Sequence, residues 1–252
     1  MFGSELDILN ELDDVLEVET PIGIDLVRIG NVYDGGYILM DSFEEEAGIA
    51  YSFGISNDVS YDKDMAKRGY DIYQYDHTID GLPEENEKFH YFKKGITGKL
   101  DNKNEMLDSL ENILRANRHE DKEKMILKMD VEGAEYEVIK NTPSSIFEQF
   151  SQMTFEFHLW FDKNWGENLY DAICKLKETH SIVHIHANNC GGVRWIDGVP
   201  YCEAYEITLA SKKYYSFEKN VDLELPIEID NPCKPDENEI VLGKWNQRKL
   251  GK

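Results

Sequence analysis

Basic residues are scarce in this chain: 27 lysines and arginines stand against 50 aspartates and glutamates, a net charge of −23 over 252 residues. Phosphate backbones and anionic lipid surfaces are gripped by clustered cations, so nucleic acid and membrane are excluded as expected partners. Long hydrophobic runs are missing too. The apolar windows are strand-sized, and the stretch from Met1 to Asp14 is acidic, with no basic region followed by an apolar core. The expected location is therefore the cytoplasm. Cys174, Cys190, Cys202 and Cys233 show no C-x-x-C spacing, which argues against a zinc knuckle or a disulfide framework and for free thiols. The dinucleotide fingerprint G-x-G-x-x-G is also absent.

What remains is the pattern of a single α/β enzyme domain acting on a small molecule. Residues 4 to 18 place Leu6, Ile8, Leu9, Leu12, Val15 and Leu16 at helical spacing. Asp34-Gly35-Gly36 reads as a turn between two short strands, so residues 1 to 45 form an N-terminal helix and a hairpin-like lid. From residue 46 to 212 strands and helices alternate. Strands are expected at 48 to 54, 70 to 75, 89 to 92, 125 to 129, 153 to 158 and 182 to 185. Helices are expected at 59 to 69, 107 to 117 and 168 to 178. Glu203 to Ala210 reads as a last, antiparallel strand, because the turn signals Gly191-Gly192 and Gly198-Val199-Pro200 leave no room for a crossover helix. The segment 213 to 252 reads as an extended tail on the surface.

Two constellations carry chemistry. Gly54 ends the first core strand in Ser52-Phe53-Gly54-Ile55-Ser56-Asn57-Asp58, and Asp76 ends the second. A glycine there admits a ligand to the backbone, and an acid on the neighbouring strand can accept hydrogen bonds from ribose hydroxyls. Asp58 at the following helix start would repel a phosphate, so a nucleoside with a positive centre suits the pocket better than a dinucleotide does.

The second constellation begins with the apolar run Met125 to Met129, which reads as a buried strand delivering Asp130 to its carboxyl end. Phe155-Glu156-Phe157-His158 and Val183-His184-Ile185-His186 end later strands. Alternation puts Glu156 with His158, and His184 with His186, on common faces. Adjacent strands lie about 4.8 Å apart, which would bring Asp130 and His158 to one acceptor. With the last strand inserted between the fifth and sixth, His186 would sit about 10 Å from His158, with Glu203 near the same rim. A histidine near its ordinary pKa can deprotonate a hydroxyl. His158 is the favoured base, Asp130 positions acceptor or base, and His186 is the reserve. No compact ligand spacing calls for a metal. Trp160, Phe161, Trp165, Tyr170 and Trp195 follow the strand ends, where aromatics either plug a core rim or stack on sugars.

Lys128-Met129-Asp130-Val131-Glu132-Gly133-Ala134-Glu135, the Ser52-Phe53-Gly54-Ile55 turn, Asp76, and Glu203-Ala204-Tyr205-Glu206-Ile207-Thr208 resemble the FkbM-like branch of the S-adenosylmethionine-dependent methyltransferases. The resemblance covers roughly residues 25 to 212. It implies the class I methyltransferase fold, a Rossmann-like, seven-stranded, mostly parallel sheet with one antiparallel strand and helices on both faces. S-adenosyl-L-methionine is the implied cofactor, and a hydroxyl on a sugar, a nucleotide-sugar or a polysaccharide precursor is the expected acceptor. By position Gly54 backs the methionine part, Asp76 holds the ribose and Asp130 faces the transferring methyl. Ser56 and Asp58, with Arg28, Gly36 and Tyr37 of the lid, complete the expected cofactor contacts. Glu132 and Glu135 are expected to cap the next helix and meet solvent. The alternatives are a metal-dependent hydrolase using Asp130, His158 and His186, or a non-catalytic cofactor-binding module. Oligomeric state stays open.

Overall fold

The computed structural model describes residues 5 to 44, 48 to 100, 104 to 159 and 165 to 248. Helix α1 (Glu5–Val15) is followed by the antiparallel hairpin of β1 (Leu26–Gly30) and β2 (Gly36–Met40). The core then runs β3 (Ile49–Phe53), α2 (Ser60–Lys67), β4 (Asp71–Tyr75), β5 (Phe89–Phe92), α3 (Leu110–Ala116), β6 (Met125–Met129), α4 (Glu135–Asn141), β7 (Phe150–His158), α5 (Trp165–Leu176), β8 (His180–Ile196) and β9 (Val199–Ser211). One sheet of seven strands takes the order β8-β9-β7-β6-β3-β4-β5. β9 is antiparallel to both of its neighbours, and the other pairings are parallel. The mixed α/β architecture with a largely parallel sheet, and the insertion of the last strand, follow the sequence pattern. Among the described residues no helix is long and apolar enough to cross a membrane.

Period-two alternation divides the side chains of the sheet between its faces. Tyr51 and Phe53 of β3, Leu127 and Met129 of β6, and Phe155 and Phe157 of β7 share one core cluster with residues of α1, α3, α4 and α5. Ala50 and Ile126, on the opposite face, cluster with Tyr61 and Met65 of α2 and with Ile29, Tyr37 and Leu39 of the hairpin. Toward β7 and β9 that second face becomes polar, and β2 lies against it. Gln152 accepts from the Met40 amide at 2.7 Å and donates to the carbonyls of Met40 and Ser42, while the Thr208 hydroxyl donates to the Ile38 carbonyl at 2.6 Å. A buried strand edge needs such partners, and here side chains of the sheet supply them.

Three expected boundaries shift. The third helix begins at Leu110 because the Ser109 side chain accepts the Asn112 amide as an N-cap, and Leu107–Asp108 instead pairs in parallel with Gly95–Ile96. Gly191-Gly192 is no turn. β8 continues to Ile196 with an irregularity between Asn188 and Val193, and the reversal falls at Asp197 and Gly198, both at positive φ. An Asp-Gly pair in that conformation matches the twist of a two-residue hairpin. The tail, finally, is extended but does more than lie on the surface. Leu225, Cys233, Leu242 and Trp245 are buried, and the Trp245 indole donates to the Leu16 carbonyl at 2.8 Å.

Candidate active site

Register sets the site. Glu156 of β7 pairs with Glu206 of β9, which pairs with His186 of β8, and Asp130 follows Met129, the partner of Phe155. Asp130, Glu156, Glu206 and His186 therefore form a row at one level across four adjacent strands. Tyr37 of the hairpin closes over this row. Its hydroxyl lies 3.2 Å from Asp130 Oδ2 and 3.5 Å from Glu156 Oε2. Lys128 donates to the Gly54 carbonyl, stands 3.5 Å from Asp130 Oδ2 and lies over the Tyr37 ring. Burial first, then the surrounding carboxylates, push the Tyr37 phenol well above its ordinary pKa, so it acts as a neutral donor.

Two residue pairs nearer the rim and on the same face, His158 stands opposite Ala204. Asp130, Glu156 and His158 offer ligand atoms within 4.8 Å of one another. A cavity of about 280 Å³ opens above them, lined by Asp34, Glu132, Glu156, His158, Asn188, Cys190 and Glu203. A groove of about 430 Å³ passes between α4 and α5 on the far side of His158, lined by Lys99, Lys140, Lys175, Tyr136 and Trp165 among others.

The electrostatics reassign the expected roles. Burial alone would lower the pKa of His158, but Glu135 at 3.6 Å and Glu156 at 3.4 Å outweigh it and raise it far above neutrality. These carboxylates favour the imidazolium form of His158, and an imidazolium cannot accept a proton, which weighs against His158 as the base. Burial is also the main cause that raises the pKa of Glu156, which His158 lowers and Asp130 and Glu206 raise further. Asn188 donates to Glu156 Oε1 at 3.0 Å. Glu156 and Asp34 are the carboxylates that combine a cavity-lining position with a raised pKa, and of the two Glu156 is the one buried beside Asp130 and His158. Asp34 shifts the same way, through burial and then through Glu206 and Asp130. The Cys190 thiol, raised by burial, Asp34 and Glu156, stays protonated.

His186 does not reach the cavity. It is buried between Glu206 (3.0 Å) and Glu239 (3.2 Å), and these carboxylates override burial and raise its pKa to about 10. Asp130, His158 and His186 thus do not converge as one ligand set. Glu203 lines the rim and accepts the Gly192 amide at 2.7 Å. Glu132 is exposed as expected, whereas Glu135 is fully buried. Its carboxylate accepts the Val131 amide at 2.8 Å and faces His158. The Glu132-Gly133 turn, both residues at positive φ, folds the helix start back and turns Glu135 inward.

At the other end of the sheet the expected cofactor residues are knitted to one another. Asp76 Oδ2 accepts the Ile55 and Ser56 amides, and Oδ1 accepts the amide and hydroxyl of Thr78, all between 2.6 and 2.9 Å. Burial raises its pKa, and these hydrogen bonds outweigh it and hold the carboxyl below the ordinary value. Four donors fill a carboxylate's acceptor positions, so Asp76 shapes the loop after Gly54. Ser56 sits exposed in that loop at φ 52°. Gly54 is glycine for a reason the sequence does not reveal. A Cβ there would meet the Asp130 carbonyl oxygen at 1.6 Å, and its φ is +78°. Asp58 caps the Ser60 amide and accepts from Asn31 of the hairpin. Arg28 points into its own turn, donating to the carbonyls of Asn31 and Tyr33, and Gly36 packs on that same turn. Of the lid residues, Tyr37 joins the row and Arg28 does not. Trp165 lines the groove, Tyr170 packs against the core, and Trp195 is 65 % exposed on the β8–β9 hairpin. Trp160 and Phe161 lie outside the described residues.

Residues 41 to 191 match the model of the methyltransferase FkbM domain, well over half of the chain. The chain belongs to this methyltransferase family. No curated protein matches it. Among solved structures, a Streptococcus thermophilus protein named only provisionally as a hemolysin aligns at 10 % identity and TM-score 0.42, over 77 % of this chain and 76 % of that one. At that level the likeness carries no argument.

The family places the strand-end acids in context, and it also shows what sequence reasoning passed over. Glu156, Glu206 and Asp34 were visible as acids near strand ends. Strand register joins Glu156 to Glu206, and the packing of the hairpin turn on the sheet brings Asp34 to them, with oxygens within 4.8 Å.

Proposed function

We propose that the chain is an S-adenosylmethionine-dependent O-methyltransferase acting on a hydroxyl of a sugar, a nucleotide-sugar or a polysaccharide precursor. The observation that carries this reading is the Asp130–Glu156 pair beneath the cavity, tied together by Tyr37, in a member of a methyltransferase family. The cofactor's positive centre fits best beside Asp130, the carboxylate of the row nearest Gly54, while Lys128, His158 and His186 offset much of the remaining negative charge. When bound, the cofactor supplies an activated methyl group, which leaves the protein to align reactants and manage one proton.

In this reading Asp130 faces the positive centre and Tyr37 holds both carboxylates in place. The Gly54 to Asp58 loop, braced by Asp76, carries the nucleoside end, and a ribose hydroxyl would compete with Thr78 for Asp76 Oδ1. Glu156 takes the proton of the acceptor hydroxyl. His158 stays charged throughout and keeps Glu156 from becoming permanently protonated.

The groove beside His158 supports a phosphate-bearing acceptor. Three lysines, the acids Glu137 and Asp171 and two aromatic rings line this groove, with Lys99 paired to Glu137 at 2.6 Å, so in a chain of net charge −23 its lining carries a small positive excess. Incubation with the cofactor and a panel of sugars, sugar phosphates and nucleotide-sugars, read by mass spectrometry, is expected to give a methyl ether on a phosphorylated member. Methylation confined to amines would overturn the oxygen assignment.

A further inference from the structure

At the β8 end of the row, His186 of β8, Glu206 of β9 and Cys233 of the tail bring ligand atoms within 4.8 Å of one another, and all three residues are buried. Glu206 Oε2 lies 3.0 Å from His186 Nδ1 and its Oε1 lies 3.1 Å from Cys233 Sγ, while the sulfur and Nδ1 are 4.0 Å apart. Around a tetrahedral zinc, bonds of about 2.0 Å to nitrogen or oxygen and 2.3 Å to sulfur put ligand atoms roughly 3.3 to 3.6 Å apart. The observed separations of 3.0, 3.1 and 4.0 Å, the first two to different Glu206 oxygens, bracket that range.

We propose that His186, Glu206 and Cys233 form a zinc site that fastens the C-terminal tail to the sheet. Three further features fit it. Glu239 receives the other ring nitrogen of His186 at 3.2 Å, the carboxylate that commonly orients a metal-bound imidazole. The ligand-bearing loop is already fixed. The Asn189 side chain bonds the backbone of Lys234 and Asn238, and Asp230 meets His184 at 3.1 Å. The mixed sulfur, nitrogen and oxygen donors suit zinc and not magnesium or calcium.

Binding forms one metal–sulfur, one metal–nitrogen and one metal–oxygen bond. It releases the Cys233 thiol proton to solvent, with His186 coordinating through Nδ1 as a neutral imidazole and water completing the tetrahedron. No C-x-x-C or H-x-x-x-H spacing announces the site, because its ligands come from two paired strands and a tail loop.

Cobalt(II), titrated into chelator-stripped full-length protein, is the probe. A thiolate-to-cobalt charge-transfer band in the near ultraviolet, saturating at one equivalent and bleached by zinc, is expected. Cys233→Ser should abolish the band. Glu239→Gln should keep it while weakening affinity about 10- to 100-fold. Should Cys233→Ser not fold, a protein with Cys174, Cys190 and Cys202 all changed to serine keeps Cys233 as its sole thiol and must retain the band. Wild-type protein without the band, or a band that survives Cys233→Ser or is lost in the triple variant, overturns the proposal.

Discussion

Glu156→Gln is expected to lower the turnover of methyl transfer by about a hundredfold or more, the usual cost of losing a general base. The substitution keeps shape and burial, and the amide oxygen can still accept from Asn188. What it removes is the site that receives the acceptor's proton. Cofactor affinity should change by no more than a few-fold, because Asp130 and the Gly54 loop are untouched. The pH profile gives a second reading. A base must be deprotonated to act, and burial raises the pKa of Glu156 above the ordinary carboxylate range. Wild-type activity should therefore climb as pH rises through that elevated pKa, and the residual activity of Glu156→Gln should lack this limb. Because the His158 imidazolium holds the Glu156 pKa down, His158→Gln should move the limb to higher pH. Turnover of Glu156→Gln within a few-fold of wild type would remove Glu156 from this role.

Gly54→Ala is expected to destabilise the fold by roughly 4 kcal/mol or more, in the range reserved for severe backbone and packing conflicts. Its φ of +78° costs an alanine about 1–2 kcal/mol. The greater part comes from the Cβ falling 1.6 Å from the Asp130 carbonyl oxygen, which cannot move aside without parting β3 from β6 where the Asp130 amide donates to the Phe53 carbonyl at 3.0 Å. The midpoint of thermal unfolding should drop by about 10 °C. Gly23→Ala is the control. It sits at a similar φ of +75° with nothing within 4 Å of the new methyl, so it should cost only the strain of about 1–2 kcal/mol. Equal losses in the two variants would show that the Asp130 carbonyl yields, contrary to the close approach that fixes this part of the site.

Those two residues also mark how far the sequence could be read. Gly54 was legible as a strand-ending glycine, but the atom that requires it belongs to Asp130, brought there by strand pairing. Glu156 was legible as sharing a face with His158. Both line the cavity, and the charge on His158 depends on Glu135, which the Glu132-Gly133 turn at positive φ swings from solvent into the core. The strands were plain because buried parallel strands are continuous apolar runs, as in Met125 to Met129. The antiparallel insertion was plain because too few residues separate β8 and β9 for a helix. Gly191-Gly192 misled because glycine marks a bulge as well as a turn, and the Asp-Gly pair six residues on has the better hairpin chemistry. The roles of Arg28 and His186 were not legible at all. Each is decided by partners distant in sequence or by the local carbonyls of a turn, and apolar periodicity carries no record of either.

The account stands on a cofactor bound across Gly54, Asp76 and Asp130. Isothermal titration of the purified protein with S-adenosylmethionine, at two temperatures so that a vanishing enthalpy cannot hide binding, tests this most directly. A saturable single-site isotherm is predicted, retained in Glu156→Gln and weakened in Asp130→Asn. No saturable heat at either temperature, up to millimolar cofactor, would contradict it.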